Sequence, residues 1–266
     1  MAGKRLDILL CEKGLCLSRE RAKEAVLRGD VFVDGKKAEK PGMTCGEDSL
    51  IELRGEKPEF VSRGGYKLKK ALETFGVSPM GKICMDVGAS TGGFTDCMLQ
   101  RGAVKVYAID VGTDQLAQTL RDDPRVTVME QTNIRNVTPE DIPDAPELCT
   151  IDVSFISLRL VLPAVRAVLS PSGEVCCLIK PQFEAGREHI GKKGVVKDPA
   201  VHKAVLMSFV ENAHAAGFQV SGITWSPIRG PEGNIEYLGH LTCGGEERVP
   251  DAEELVNESH RELGRE

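Results

Sequence analysis

The chain has 266 residues, of which 41% are hydrophobic and 28% are charged. This length allows one large domain, or a large domain with a small companion, and the composition is that of an ordinary globular protein. No stretch approaches the length of an uncharged apolar membrane span, and no apolar segment follows the charged N-terminus as in a secretory signal. The nine cysteines include no C-x-x-C pair, which favours reduced thiols in a cytoplasm over disulfides or a metal site.

The net charge of −6 is unevenly distributed. Residues 246–266 contain eight acidic and three basic side chains, whereas residues 1–40 contain ten basic and seven acidic ones. Without residues 246–266, the chain has a net charge of only −1, so the total charge does not argue against basic surfaces that bind nucleic acid.

The first 58 residues predict a small α/β unit. A short apolar helix begins near Leu6 and ends at Gly14, and a basic helix follows Ser18, a residue type common at helix N-caps. Asp34-Gly35 lies between two short apolar segments and is a strong hairpin signal.

This pattern of helix, turn, basic helix and β-turn resembles the alpha-L RNA-binding motif of a small-subunit ribosomal protein and of pseudouridine synthases. The resemblance covers about 31 residues and implies that the basic helix and its surroundings bind RNA. The alternative is the solvated face of an ordinary amphipathic helix. The RNA-binding candidates in this unit are Arg5, Ser18, Arg19, Arg21 and Lys23.

Gly, Pro and charged residues up to position 65 indicate a linker. Beyond it, apolar strand-length runs alternate with helical patterns, which favours a mostly parallel sheet with helices on both faces. The last two runs lack an intervening helix and are expected to be antiparallel neighbours. The predicted fold is a Rossmann-like, doubly wound α/β sheet with a small N-terminal α/β domain, and the predicted boundaries are 1–58, a linker at 59–65, 66–245, and an acidic tail helix within 246–266.

A glycine-containing turn follows the first strand of the sheet. Glycines between a strand and a helix let backbone N–H groups approach a ligand, although a tight structural turn is the alternative. A dinucleotide loop of the type G-x-G-x-x-G would need glycine where this chain has Ser90. The candidate ligand-binding residues of the turn are Gly88, Ala89, Ser90, Thr91, Gly92 and Gly93.

Two carboxylates flank this turn. Asp86 lies two residues before Gly88, where it can hold a cationic or hydroxyl-bearing ligand but would repel a pyrophosphate. Asp110 ends the second strand, in position to accept hydrogen bonds from ribose hydroxyls. S-adenosylmethionine therefore fits this edge better than NAD. Asn133, beyond the third strand, is a candidate for the adenine amino group or, as readily, for a turn or cap.

Two further strand ends carry reactive side chains. Asp152 begins Asp-Val-Ser-Phe, which lacks the diproline turn of methyltransferases that act on exocyclic amines. Lys180 closes the most apolar strand, where burial penalises its charge and makes it usable as a base, unless it only snorkels to solvent.

Five segments closely resemble the TlyA family of FtsJ-like ribosomal RNA 2′-O-methyltransferases, which are often labelled hemolysins, over nearly the whole chain. The resemblance implies a catalytic tetrad of Lys67, Asp152, Lys180 and Glu236. It also implies ribosomal RNA in one or both subunits as the partner, cytidine ribose as the target, and a cytoplasmic monomer. The segments begin at Ser62 (SRGGYKL), Asp86 (DVGASTGGFTD), Asp152 (DVSFISL), Ile179 (IKPQFE) and Gly233 (GNIEY).

The chemistry of this reaction explains the residue types. A sulfonium methyl group is already activated, so the enzyme mainly aligns the ribose 2′-oxygen and takes up its proton late. We expect Lys180 to accept or guide that proton, helped by burial and by the neighbouring charge of Lys67. Asp152 is expected to orient Lys180 near the sulfonium, and Glu236 to hold Lys67 and the acceptor sugar.

The segment from Gly186 to Lys203 is predicted to close over RNA phosphates, unless it is only a solvated loop. Arg63, Lys192 and Lys193 complete the RNA-binding candidates. Phe155 is expected in the core more readily than stacked on a flipped base.

Three other functions are disfavoured. A pore-forming hemolysin would need membrane-spanning segments and a secretion route, and a non-catalytic RNA-binding protein would show losses in the glycine turn or the tetrad. An NAD-linked oxidoreductase is inconsistent with Ser90.

Overall fold

The computed structural model describes residues 3–16, 19–54, 58–191 and 193–264. The chain divides into two units, Met1–Glu59 and Phe60–Glu266. Phe60 is 3% exposed and belongs to an apolar core of the second unit, whose first helix already begins at Gly64. Residues 60–65, which the sequence assigns to a linker, are therefore part of the second unit.

The first unit has the predicted helices and hairpin. Asp34 and Gly35 have φ angles of +50° and +78°, as the two central residues of a tight hairpin turn require. Strands β2, β3 and β5 form one antiparallel sheet, and β1 pairs with β4. The elements are β1 (Lys4–Arg5), α1 (Leu6–Glu12), α2 (Arg19–Arg28), β2 (Val31–Val33), β3 (Lys36–Lys37), β4 (Thr44–Cys45) and β5 (Ile51–Leu53).

The second unit alternates strands and helices, as predicted. Two single 3₁₀ turns, Ile134–Asn136 and Arg187–His189, accompany them. The elements are α3 (Gly64–Phe75), β6 (Ile83–Val87), α4 (Gly93–Gln100), β7 (Lys105–Ile109), α5 (Gln118–Arg121), β8 (Val126–Met129), β9 (Leu148–Ile151), α6 (Leu158–Val168), β10 (Glu174–Ile179), α7 (Pro181–Glu184), α8 (Pro199–Ala215), β11 (Gln219–Trp225), β12 (Tyr237–Thr242) and α9 (Ala252–Leu263).

The seven strands of this unit form one sheet in the order β11-β12-β10-β9-β6-β7-β8. Strand β12 lies antiparallel to both of its neighbours, and the other adjacent strands of this sheet are parallel. The prediction of one reversed strand is confirmed. It follows from the connection between β11 and β12, which is a Pro/Gly-containing loop without a crossover helix.

Apolar side chains cover both faces of the sheet. Along β10, Val175, Cys177 and Ile179 join one core cluster, while Cys176 and Leu178 join the other. The first cluster contains residues of α6, α8 and α9, and the second contains residues of α3 and α4. A strand buried on both faces reads as a continuous apolar run, which is why the sequence predicted a doubly wound sheet.

The acidic C-terminal segment contains the predicted helix, α9. Asp251 caps it by accepting hydrogen bonds from the backbone N–H groups of Glu253 and Glu254, and Leu255 and Val256 are buried in the core. Among the described residues, no helix is both long and apolar enough to span a bilayer.

Candidate active site

The carboxyl edge of the parallel strands gathers the four residues predicted for catalysis. Asp152 follows β9 and Lys180 follows β10. Glu236 precedes β12, and because this strand is reversed and pairs Tyr237 with Ile179, its first residues reach the same edge. Lys67 comes from the first turns of α3. Residues separated by 169 positions are therefore neighbours in the fold.

The four side chains form two ion pairs. The ammonium group of Lys67 donates to Oε2 of Glu236 at 2.6 Å, and these side chains are only 7% and 1% exposed. The ammonium group of Lys180, whose side chain is 10% exposed, lies 2.5 Å from Oδ1 of Asp152. Charges this deeply buried persist only when they are paired, so each lysine depends on its carboxylate.

Two polar residues that sequence reasoning missed complete this cluster. Lys180 also donates to the hydroxyl of Ser154 at 3.2 Å, and the side-chain amide of Gln182 donates to Oε1 of Glu236 at 3.1 Å. Each lies two residues after a tetrad member, which was the available signal. The immediate charged neighbour of Lys180 is thus Asp152, the residue expected from the sequence to orient it.

The glycine turn can lie close to this cluster because two of its residues have no side chain. Gly88 has φ +85°, and a Cβ there would lie 2.5 Å from the carbonyl oxygen of Asp152. A Cβ on Gly93 would lie 2.9 Å from the backbone nitrogen of Gly65, at the start of α3. Glycine at these two positions lets the turn approach both the Asp152 strand end and the helix that carries Lys67.

Asp110 organises the exposed side of the turn. Its Oδ2 accepts from the backbone N–H of Ser90 at 2.8 Å, and its Oδ1 accepts from that of Gly112 at 2.7 Å. A carboxylate offers about four acceptor positions, so two remain for ligand hydroxyls. The next residue, Val111, which sequence reasoning missed, is 72% exposed and adds an apolar surface next to Asp110. Free acceptors for ribose hydroxyls beside an exposed apolar side chain fit an adenosine ligand.

The sequence predicted that Asp86 holds a ligand at the turn, but the structure buries its carboxyl group. It is fully buried, and its two oxygens accept hydrogen bonds from the hydroxyls of Thr95 at 2.6 Å and Thr150 at 3.0 Å. Burial raises the pKa of Asp86 to about 7, against the opposing effect of the two hydroxyls. The carboxyl group therefore fastens α4 and β9 beneath the glycine turn and has no exposed surface for a ligand.

For two residues with alternatives left open by the sequence, the structure shows the local contacts. Asn133 accepts a hydrogen bond from the backbone N–H of Arg135 at 3.1 Å and caps a 3₁₀ turn. Phe155 is 91% exposed, so its assignment to the core is wrong. Its φ of +63° is rare for a bulky side chain, and its ring lies 5.0 Å from that of Phe183.

In the first unit, one buried carboxylate holds two of the predicted RNA-binding arginines. Asp7 is fully buried and accepts two hydrogen bonds from Arg5 and one from Arg19, all at 3.0 Å. These guanidinium groups hold the pKa of Asp7 well below its usual range. Both arginine side chains remain half exposed. Arg21 and Lys23 are partly buried on α2, and Ser18 lies outside the described residues.

The remaining basic candidates lie in the second unit. Arg63 is exposed at the N-terminus of α3, one turn before Lys67. Lys193 is exposed between α7 and α8, while Lys192 lies outside the described residues. Lys203, the last residue of the predicted loop, lies in helix α8 and pairs with Glu253 of α9 at 2.7 Å. The basic loop is therefore shorter than predicted.

A doubly wound sheet with one reversed strand, a glycine turn after its first strand and an acid at the end of its second defines the methyltransferase class of α/β folds. Residues 60–242 match the FtsJ-like methyltransferase family, and residues 4–51 match the S4 domain. The chain belongs to the FtsJ-like methyltransferase family.

Relatives match over nearly the full length. A suspected rRNA methyltransferase of Bacillus subtilis is 49% identical, with 98% of this chain and 95% of the relative covered. The 16S/23S rRNA (cytidine-2′-O)-methyltransferase TlyA of Mycobacterium tuberculosis is 41% identical, with 97% of each chain covered. The solved structure of a suspected hemolysin from Streptococcus thermophilus has a TM-score of 0.80 and 46% identity, covering 100% of this chain and 98% of that one.

Proposed function

We propose that this protein transfers a methyl group from S-adenosylmethionine to the 2′-hydroxyl of a cytidine ribose in ribosomal RNA. The observation that carries the proposal is the pair of buried lysine–carboxylate contacts beside the glycine turn. The M. tuberculosis relative is named for 2′-O-methylation of cytidine in 16S and 23S rRNA, which supports this acceptor in one or both ribosomal subunits.

The glycine turn and the neighbouring strand ends would hold the cofactor, which supplies an activated methyl group on a sulfonium sulfur. Asp110 has acceptor positions left for the ribose hydroxyls, and the carboxylate of Asp152 would supply negative charge for the sulfonium. The side-chain oxygen of Asn133 already accepts from Arg135, so its amide nitrogen would donate to a ring nitrogen of adenine, in place of the bond to the adenine amino group that the sequence suggested. The cofactor-binding residues are Gly88, Ala89, Ser90, Thr91, Gly92, Gly93, Asp110, Asn133 and Asp152, and Asp86 supports them from below.

The lysine pairs would hold and deprotonate the acceptor. The ribose oxygen loses its proton as it gains the methyl group, and Lys180, held in place by Asp152, would accept or guide that proton. Lys67, fixed by Glu236, places a second positive charge at the same edge, where it would stabilise negative charge on the ribose oxygen. Proton transfer of this kind typically contributes about 10²–10⁴-fold to a rate.

RNA would be held at two places. In the first unit, Arg5, Arg19, Arg21 and Lys23 are basic groups suited to phosphates. In the second unit, Phe155 offers an exposed ring, three residues after Asp152, on which the target base can stack. Ser18, Arg63, Lys192 and Lys193 remain predicted RNA contacts.

The deciding experiment incubates the protein with tritiated S-adenosylmethionine and ribosomal subunits from a strain that lacks the enzyme. We expect label in RNA, with the adjoining phosphodiester made resistant to alkali, and loss of that label in Lys180→Ala while cofactor binding persists. Lys82→Ala is the matched control, because Lys82 forms a similar pair with Glu174 at 2.6 Å where β6 and β10 begin. Cofactor binding without label on either subunit or on intact ribosomes would contradict the proposal and favour a non-catalytic RNA-binding protein.

A further inference from the structure

Glu236 has two partners on two different elements. Its Oε2 accepts from Lys67 on α3, and its Oε1 accepts from the amide nitrogen of Gln182 on α7, at 3.1 Å. Helix α7 follows Lys180 directly, so Gln182 links the strand end that carries Lys180 to the carboxylate that holds Lys67. The two ion pairs of the site are thus joined through one neutral side chain.

The orientation of this amide is fixed by chemistry. A carboxylate only accepts hydrogen bonds, so the nitrogen of Gln182 must face Glu236 and its oxygen must face away. That oxygen, Oε1, is buried and has no hydrogen-bond partner among the residues that the structure describes. Buried acceptors are nearly always paired. The amide therefore keeps its bond to Glu236 even though this orientation leaves its own oxygen without a partner.

A neutral donor suits this position better than a cation. An arginine or a second lysine at this place would compete with Lys67 for the negative charge of Glu236, whereas an amide occupies one oxygen and leaves the charge to Lys67. Without that donor, the terminal torsion of Glu236 is free to turn, because rotation about this bond is soft. The ammonium group of Lys67 would then lose its fixed position.

We infer that Gln182 is a positioning residue for methyl transfer, which holds Glu236 and, through it, Lys67 in place at the end of the strand that carries Lys180. The inference rests on the proposed function, since it concerns the same transfer. It predicts an effect on the chemical step and little effect on cofactor binding, because the side chain of Gln182 forms no hydrogen bond with the glycine turn among the described residues.

The test compares Gln182→Leu, Gln182→Glu and the wild-type protein in single-turnover methyl transfer to ribosomal subunits across pH. Gln182→Leu should lower the rate by about tenfold to a hundredfold at every pH, as misplaced catalytic groups do, with the dissociation constant for S-adenosylmethionine within about twofold of wild type. Gln118→Leu is the matched control, because the amide of Gln118 also donates to a carboxylate, that of Asp122, away from the tetrad.

Gln182→Glu separates positioning from general packing. When protonated, the introduced carboxyl donates to Glu236 as the amide does; when ionised, it repels Glu236 and competes for Lys67. Its rate relative to wild type should therefore fall as the pH rises. A Gln182→Leu rate within about twofold of wild type, or a Gln182→Glu profile parallel to wild type, would overturn the inference. Absence of transfer by the wild-type protein would instead refute the proposed function.

Discussion

Two aspartates, one in each unit, are both fully buried, yet their pKa values are shifted in opposite directions. Asp7 accepts hydrogen bonds from two arginines, which hold its pKa well below the usual range. Asp86 accepts from two threonine hydroxyls, and burial raises its pKa to about 7. The charge of the partner, and not burial alone, decides whether a buried carboxyl group is ionised.

The difference corresponds to two uses of a buried acid. In the first unit, Asp7 holds two guanidinium groups whose side chains remain half exposed. In the second unit, Asp86 fastens backbone elements beneath the glycine turn. The candidate active site combines the two properties, because Glu236 is as buried as Asp86 and is paired with a cation as Asp7 is.

The largest expected effect comes from unpairing that buried carboxylate. Lys67→Met leaves the 1% exposed side chain of Glu236 without its cation, and breaking a buried ion pair in this way costs about 3–5 kcal/mol of unfolding free energy. Urea denaturation followed by the fluorescence of Trp225 measures it in the second unit. The double variant Lys67→Met/Glu236→Leu should recover much of the loss, and strictly additive effects of the two substitutions would contradict the coupling.

A second prediction compares the effects of Phe155 substitutions on unfolding free energy and on RNA affinity. Its left-handed backbone conformation is strained for a bulky residue and free of strain for glycine. Phe155→Gly should therefore raise the unfolding free energy by about 1 kcal/mol relative to Phe155→Ala, which keeps the strain. Both variants should weaken RNA binding by about 1–3 kcal/mol, the usual contribution of one stacked base. Unchanged RNA affinity would show that the ring does not stack on a base.

The sequence predicted elements whose signals are local. Glycines, caps and apolar runs determine the strand and helix bounds, and the short loop before β12 determines the one reversed strand. The tetrad positions and their pairing followed from motif resemblance, but the added contacts of Ser154 and Gln182 depend on strand order and register, which no local pattern encodes. Asp86 was misplaced because the sequence shows a carboxylate near the turn and does not show the threonines that bury it. Phe155 was misplaced because hydrophobicity predicts burial, whereas backbone strain is visible only in the fold.

The third prediction uses the opposite pKa shifts of the two aspartates. Because the pKa of Asp86 in the folded state is raised to about 7, the folded protein keeps a proton that the unfolded chain releases above about pH 4. Its contribution to stability is present at low pH and is lost as the pH rises from about 4 to about 7, by up to about 1.4 kcal/mol per unit. The stability of wild type relative to Asp86→Asn should therefore fall across this range.

Asp7→Asn is the matched control for this comparison. The pKa of Asp7 is depressed, so its contribution is present above about pH 4 and is lost as the pH falls below that value. Across the range in which Asp86 titrates, hydrogen exchange in the first unit should show a constant difference between Asp7→Asn and wild type. Parallel pH curves for Asp86→Asn and wild type in the second unit would contradict the assigned environment of Asp86.

The smallest expected effect concerns the first unit and RNA. Arg19→Gln removes one half-exposed charge without placing a second carboxylate against Asp7, as a charge reversal would. If Arg19 contacts a phosphate, the slope of RNA affinity against salt concentration should decrease by about one, and the affinity for S-adenosylmethionine should not change. Arg125→Gln is the control, because Arg125 pairs with Asp123 in the second unit with similar exposure. An unchanged slope in Arg19→Gln would mean that this arginine serves to stabilise Asp7, and that phosphates are held by other side chains of the basic helix.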